Sequence, residues 1–276
     1  MPRRFDHIYE IVSNRQVAPE TFLLQVAAPE FANQAIPGQF AMLRATGEEV
    51  LDPLLRRPLS IHRVNRERSR ADFLYRVVGK GTMLLSRRQP GHHIQILGPL
   101  GRGFHVRDGA IPVLVGGGLG VAPLLFLAER LKGQRGIICL GAITRGQILR
   151  LDTFTRTGLE LLIATEDGSL GTRGLVTEVL DRMLAGLDRQ DRKRIQILAC
   201  GPVPMLKAVV RLSSHYDCPC QVSLEAFMAC GSGLCLGCAV PASSGDGSGD
   251  GSGDGYLHVC KEGPVFDASQ IDWERI

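Results

Sequence analysis

Cys230, Cys235, Cys238 and Cys260 stand in the segments AFMACGSGLCLGC and HVCKEGPVF, three of them clustered as C-x4-C-x2-C and the fourth remote. This is the plant-type spacing for thiolates that hold a 2Fe-2S cluster, a centre that passes electrons one at a time. Gly231, Gly233 and Gly237 suit that reading, because a backbone wrapped around a compact inorganic core must turn tightly and aim N–H groups at sulfur. Zinc is the alternative, although it more usually takes two separated C-x2-C pairs. It would make the chain a zinc-stabilised interaction module without turnover. Disulfides fit less well. No signal peptide precedes MPRRFDHIYE, and no apolar run reaches the roughly 18 residues of a membrane span, so the expectation is a cytoplasmic protein with reduced thiols and no membrane contact. Of the other cysteines, Cys139 in GIICL is expected as a buried small hydrophobe, and Cys218 and Cys220 in DCPCQ as loop thiols.

A second chemical feature is the turn Gly116-Gly117-Gly118-Leu119-Gly120-Val121-Ala122-Pro123. It follows the apolar run IPVLVG and precedes LLFLAERLKG, so it reads as a strand-to-helix turn where a backbone without side chains can approach a pyrophosphate. It is not a clean G-x-G-x-x-G, and a purely structural tight turn would look similar. A later turn, Cys200-Gly201-Pro202, ends another apolar strand and is placed to border a nicotinamide ring in the same crevice. Thr144 and Arg145 follow a third strand, near where an adenosine ribose would lie; they do not separate NAD from NADP.

A third set lies earlier: Arg57-Pro58-Leu59-Ser60, then Leu74-Tyr75-Arg76, then Gly81-Thr82. An arginine fork pairs with phosphate oxygens and the hydroxyls can meet a ring edge. Spacing alone equally allows solvated arginines and a hairpin turn at Gly81.

The elements that must position these residues change character along the chain. Through the first hundred residues, YEIVSN, TFLLQVAAP, GQFAMLRAT, PLSIHRV, ADFLYRVVG and HHIQILGPLG alternate apolar with polar and are punctuated by Gly and Pro, which predicts a small antiparallel barrel. From Ile111 onward, apolar strands alternate with helical stretches (IPVLVG, GIICLGAIT, LELLIATEDG, RIQILACGP, then PMLKAVVRLSS), which predicts a doubly wound parallel sheet. The expected division is 1–107 for the barrel, 108–220 for the α/β nucleotide domain and 221–276 for the cysteine segment. With 276 residues, 44% hydrophobic and a net charge of +4, the chain is long enough for two domains and a small third. Its arginines are dispersed and not interleaved with aromatics, so no nucleic-acid surface is expected.

The ordered motifs R-P-L-S, Y-R-V-x-G-x-G-T, L-G-P-L-G-x-G-F, V-G-G-G-x-G-V, C-G-P, S-L-E-x-x-M-x-C-G-x-G-x-C-x-G-C and C-x-x-G-P-V-F span essentially the whole chain. In them the sequence closely resembles the electron-transfer subunits of the NAD-dependent (class 1B) dihydroorotate dehydrogenases, within the ferredoxin reductase superfamily. The resemblance implies that Arg57, Pro58, Leu59, Ser60, Leu74, Tyr75, Arg76, Gly81 and Thr82 contact FAD. It implies that Cys230, Cys235, Cys238 and Cys260 ligate the cluster. It further implies an FMN-containing catalytic partner that oxidises dihydroorotate in pyrimidine biosynthesis, in a heterotetramer with two copies of each subunit. A flavin converts between the single electrons of a cluster and the paired electrons of nicotinamide, so the expected path runs from partner to cluster to FAD to NAD. The chain is too short to carry a (β/α)8 substrate domain as well.

Two features depart from the pattern. Ala226-Phe227 stand where the family often has a polar residue and an arginine, and SGDG occurs three times between Ser244 and Gly255, where an exposed flexible loop is expected. Related flavin subunits of sulfide dehydrogenase or of ferredoxin-dependent transhydrogenase are the rival enzymatic reading.

Overall fold

A computed structural model describes residues 5–47, 50–243 and 255–276. The SGDG repeats lie outside these residues apart from Gly255.

Six strands, β1 (Phe5–Ala18), β2 (Thr21–Ala27), β3 (Phe40–Leu43), β4 (Arg57–Asn65), β5 (Arg70–Arg76) and β6 (His93–Leu100), close into an antiparallel barrel in the order β1-β2-β5-β4-β3-β6. Period-two alternation turns Ile11, Leu24, Val26, Ile61 and Phe73 inward, where each is fully buried. Each such side chain contributes about 1.5–3 kcal/mol by leaving water. Two short helices serve the barrel. On α1 (Pro29–Gln34), Phe31 lies edge-on to Phe73 with centroids 6.0 Å apart. The second, α2 (Lys80–Ser86), is tied to β1 by Asn14, whose Nδ2 donates to the carbonyls of Leu85 at 2.8 Å and Arg88 at 3.1 Å. Those carbonyls lie at the C-terminal end of the helix, where the regular i→i−4 donors run out. Gly81 therefore sits in the first turn of a helix rather than in a hairpin.

The second layer system is a seven-stranded sheet, built from β7 (Ile111–Gly117), β8 (Ile137–Ala142), β9 (Glu160–Thr165), β10 (Thr172–Arg173), β11 (Ile195–Cys200) and β12 (Cys220–Ser223), with a last strand from the C-terminal segment. Helices α3 (Leu124–Arg130) and α4 (Leu151–Thr155) lie on one side; α5 (Val176–Ala185), the short α6 (Arg189–Arg194) and α7 (Val203–His215) complete the unit. Val113 and Val115 of β7 pack with Leu180, Leu184 and Leu206 on one face, while Leu114 packs with Leu124, Leu125 and Phe154 on the other. Cover on both faces is why β7 reads as an unbroken apolar run and β11 is interrupted only by Gln196. The parallel core has the order β10-β9-β8-β7-β11-β12, so the strand sequence reverses between β7 and β11. The doubly wound arrangement read from the sequence is present.

After β12 the chain makes the cysteine loop, a small hairpin of β13 (Ala239–Pro241) and β14 (Tyr256–His258), and finally β15 (Val265–Asp267), which pairs antiparallel with β12. The expected boundary at 220/221 falls inside β12, and Val240, Leu257 and Val259 share a core with the sheet strands β7 and β11. Cys220 opens β12, so it is a strand residue and not the loop thiol expected; Cys218 stands in the loop before it, as expected, but is buried there. Cys139 is fully buried, as read, and burial followed by the charge of Glu160 pushes its thiol up to about 12.

Candidate functional site

Cys230, Cys235 and Cys238 lie in the loop between β12 and β13, which has no regular hydrogen-bonded element, and Cys260, just after β14, is brought beside it. Cys238 and Cys260 are buried with their sulfurs 3.3 Å apart; Cys230 is half-buried and Cys235 exposed. Backbone N–H groups aim at the sulfurs. Ser232, Leu234 and Cys235 each donate to Cys230 Sγ at 3.4 Å, Gly233 donates to Cys260 Sγ at 3.1 Å, and Cys260 donates to Cys238 Sγ at 3.4 Å. Burial opposes ionisation of Cys230, but the N–H groups of Ser232 and Cys235 outweigh it and hold the thiol down at about 5. Cys260 is pushed up to about 12 by burial and then by the adjacent Cys238.

Among the described residues no three His, Cys, Asp or Glu side chains converge on a point that would hold one ion. Thiols in a ring of N–H donors instead fit a two-iron core, which takes two protein sulfurs at each iron. Gly231, at φ +67, lets the loop lie on the barrel: a Cβ there would stand 2.5 Å from Met42 Cγ of β3. The rim is apolar, with Phe227 98% and Leu234 84% exposed.

In the barrel, the ladder between β4 and β5 ends at Ile61↔Phe73. Beyond it Arg57–Ser60 keep pairing with β3, and Leu74–Arg76 with β2, so the two segments singled out from sequence border a split in the barrel wall. Arg57, Pro58, Leu59, Ser60 and Arg76 are half-buried along it. Leu74 and Tyr75 are buried, Tyr75 stacking on Phe22 at 5.8 Å and donating from its hydroxyl to Asn14 Oδ1 at 3.1 Å. Their side chains belong to the core, which leaves the strand backbone to face a ligand. Arg57 Nη1 donates to the Leu55 carbonyl at 2.6 Å, and its guanidinium crosses the first turn of α2 where Gly81 has no side chain. A Cβ on Gly81 would come within 2.2 Å of Arg57 Nε. The Thr82 hydroxyl accepts from the N–H groups of Val78 at 3.0 Å and Gly79 at 3.3 Å, so it fastens the loop before α2. A split strand pair with a guanidinium held beside a helix turn fits a flavin dinucleotide, with Arg57 for phosphate and Ser60 for a polar ring edge.

The two glycine turns meet at the point where the strand order reverses, the position at which open α/β sheets bind ligands. Gly116 of β7 pairs with Cys200 of β11, and a Cβ on Gly120 would lie 2.3 Å from the Cys200 carbonyl oxygen. Gly117 is equally close-packed, 2.5 Å from Met205 Sδ by the same measure, and Gly201 lies against Met205 as well. Gly118 has φ +55 and open space beside it, so the turn presents bare backbone outward. Cys200 is buried and its thiol pushed up by burial; this turn offers its backbone, Gly201 and the exposed Pro202. Thr144 and Arg145 follow β8, and the Arg145 N–H donates to Ser169 Oγ at 2.7 Å.

One residue that sequence reading passed over joins these sites. His62, two positions beyond Ser60, is fully buried, and its Nδ1 lies 2.8 Å from the carbonyl of Ala122, just past the glycine turn. A carbonyl only accepts, so Nδ1 carries the proton and donates. Burial pushes the ring down to about 3, despite that hydrogen bond, so it is neutral. Alternation from the inward-facing Ile61 turns His62 to the other face of β4, toward Ala122.

Residues 225–272 match the family described as the iron-sulfur cluster binding domain of dihydroorotate dehydrogenase B. Over nearly the whole length, the chain is 40% identical to "Dihydroorotate dehydrogenase B (NAD(+)), electron transfer subunit" of Desulforamulus reducens, covering 96% of this chain and 97% of that protein. The protein of the same name from Caldanaerobacter subterraneus subsp. tengcongensis is 37% identical, with 95% and 96% covered. Among solved structures, an NADH-dependent reduced ferredoxin-NADP oxidoreductase studied for flavin-based electron bifurcation superposes with TM-score 0.82 at 29% identity, covering 98% of this chain and 91% of that one. The ferredoxin reductase of carbazole 1,9a-dioxygenase shares the fold at TM-score 0.63 and 21% identity, over 78% of this chain and 67% of that one.

Proposed function

The chain belongs to the family of dihydroorotate dehydrogenase B electron transfer subunits, and from that premise we propose that it carries electrons between a dihydroorotate-oxidising partner and NAD. When bound, the 2Fe-2S centre supplies one-electron transfer, and FAD links it to the two-electron chemistry of nicotinamide. Cys230, Cys235, Cys238 and Cys260 hold the cluster, with the N–H groups of Gly233 and its neighbours stabilising the charged sulfurs. Arg57, Pro58, Leu59, Ser60, Leu74, Tyr75, Arg76, Gly81 and Thr82 form the FAD site, the first four and Arg76 lining it and the rest shaping it. Gly116, Gly117, Gly118, Gly120, Cys200, Gly201 and Pro202 form the NAD crevice. The observation that carries this reading is that backbone donors aim at the sulfurs of Cys230, Cys238 and Cys260, in a cysteine loop seated against the same barrel whose wall is split at the flavin motif.

The division of labour follows the segments 1–107 for FAD, 108–220 for NAD and 221–276 for the cluster, with the last two sharing a sheet. The partner is an FMN-containing catalytic subunit, two copies of each forming a heterotetramer in the cytoplasm. Phe227 and Leu234, apolar and exposed beside the thiols, suit the contact with it. No helix of the described residues is long and apolar enough to cross a membrane. The transhydrogenase-type reading has the weaker support, 29% identity against 40%. A visible spectrum tests the carriers: flavin and iron-sulfur absorption are expected, and a colourless, zinc-containing protein would refute the assignment.

A further inference from the structure

We propose that the cleft between the barrel and the α/β sheet, on the seam formed by β1, β4, α3 and α4, is a binding site for a small phosphorylated polyanion. The cavity is about 1040 Å³, and none of the residues assigned to FAD, NAD or the cluster lines it. That volume is in the range of ligand sites.

Five cations, Arg15, Arg63, Lys132, Arg150 and Arg156, face two carboxylates, Glu129 and Asp152. Glu129 is already engaged, 2.9 Å from Arg63 Nε. Arg15, Lys132, Arg150 and Arg156 make no ion pair among the described residues, which leaves the cleft with unmatched positive charge. Arg150 is the most constrained of them. Its backbone lies at φ +61, left-handed and unusual for a residue with a side chain, and its Nε is buried without a hydrogen-bond partner. Holding a non-glycine residue there is unfavourable. An unmet buried donor adds to that cost. Burial, and then the facing charge of Arg15, both disfavour the ionised Arg150 guanidinium.

Two cations brought together across a domain seam, one of them with an unmet donor, are relieved by a ligand that brings several anionic oxygens between them. Phosphate oxygens match guanidinium forks in geometry and charge. Val17, Ala18 and Ile148 give the cleft an apolar floor, joined to the core beneath α3. Since the cleft takes one wall from the barrel and the other from the sheet, an occupant would bridge the two. This inference does not depend on the electron-transfer reading.

The test is calorimetric titration of the cofactor-loaded chain, saturated with NAD to fill the nucleotide crevice, with inorganic tripolyphosphate at low salt. One saturable site is expected, weakened about tenfold or more by combined Arg15→Ala and Arg156→Ala, a loss of at least about 1.4 kcal/mol. Both side chains are exposed, so the variant should keep its unfolding midpoint and its flavin and cluster spectra. Arg189→Ala, an exposed arginine on α6 outside the cleft, should leave the affinity unchanged. No saturable binding, equal affinity in the double variant, or an equal loss in Arg189→Ala would overturn the proposal.

Discussion

The cysteine loop and the flavin wall of the barrel are built in opposite ways. On the proposed reading the loop contributes side chains: four cysteines would supply the ligands, and the backbone around them is irregular and partly exposed. The barrel contributes shape. Several residues of its motif are core, among them Leu74, Tyr75 and Thr82, and the opening comes from strands that part company after Ile61 and Phe73. The nucleotide turns carry the second strategy furthest, since backbone packs directly on backbone where Gly120 meets Cys200. A group held by side chains should be lost cleanly by one substitution, whereas one held by shape should be lost only together with some of the fold.

The largest effect should follow from Cys235→Ser. Cys235 is the exposed member of the four, so its replacement disturbs little packing, yet the cluster loses a ligand. Iron content and the reduced-state EPR signal should disappear while flavin occupancy stays near that of the parent protein. Retained iron and an unchanged signal would remove Cys235 from the ligand set.

Gly120→Ala should behave in the other way. Its Cβ would lie 2.3 Å from a main-chain oxygen that cannot swing aside, so the β7 and β11 turns must separate. Overpacking of this kind costs about 1–3 kcal/mol. Chemical denaturation and NADH titration should show stability and nucleotide affinity falling together. A drop in affinity at unchanged stability would place the shape argument in error.

Gly81→Ala is the intermediate case, because the atom it meets is the flexible end of Arg57. The arginine should be displaced at little cost to the fold. Flavin retention on ultrafiltration should then fall as it does in Arg57→Ala, by about tenfold or more for a lost charge-assisted contact. If Gly81→Ala keeps its flavin while Arg57→Ala loses it, the guanidinium reaches its ligand by another path.

The smallest effect concerns the joint between the two regions. The native His62 ring titrates near 3, whereas an unfolded histidine titrates near 6.5, so the unfolded chain takes up the proton first. The stabilisation is therefore fully present above about pH 6.5 and is lost as pH falls toward 3. At pH 5.5, one unit below the unfolded value, the loss should be about 1.4 kcal/mol. Urea unfolding of the parent and of His62→Asn between pH 7.5 and 5 checks this, the variant showing the shallower slope; parallel slopes would mean that His62 is not the group responsible.

The same contrast decides what could be read from sequence. Spacing of side-chain ligands is local information, so the cysteine set was legible at once, and alternation marked all six barrel strands. The split in the barrel was not legible, because it depends on which strand each segment stops pairing with. Nor was the sharing of one sheet by β12 and β15, which are joined across the whole cysteine loop. Cys220 was misread as a loop thiol because Pro219 before it signals a turn, while the strand it opens is only four residues long. Thr82 was picked out for a hydroxyl that could meet a ring edge, but that hydroxyl serves the chain's own amides. The cationic cleft draws on residues 15, 63, 132, 150 and 156, too far apart in sequence to form a pattern.

The most direct test of the electron-transfer assignment is dihydroorotate-dependent NAD reduction, measured for the isolated chain, for its complex with the dihydroorotate-oxidising subunit, and for the same complex carrying Cys235→Ser. The account predicts no activity in the first, activity in the second, and loss in the third while dihydroorotate is still oxidised by an acceptor that draws directly on the partner. NAD reduction by the isolated chain, or its survival in the complex without the cluster, would contradict it.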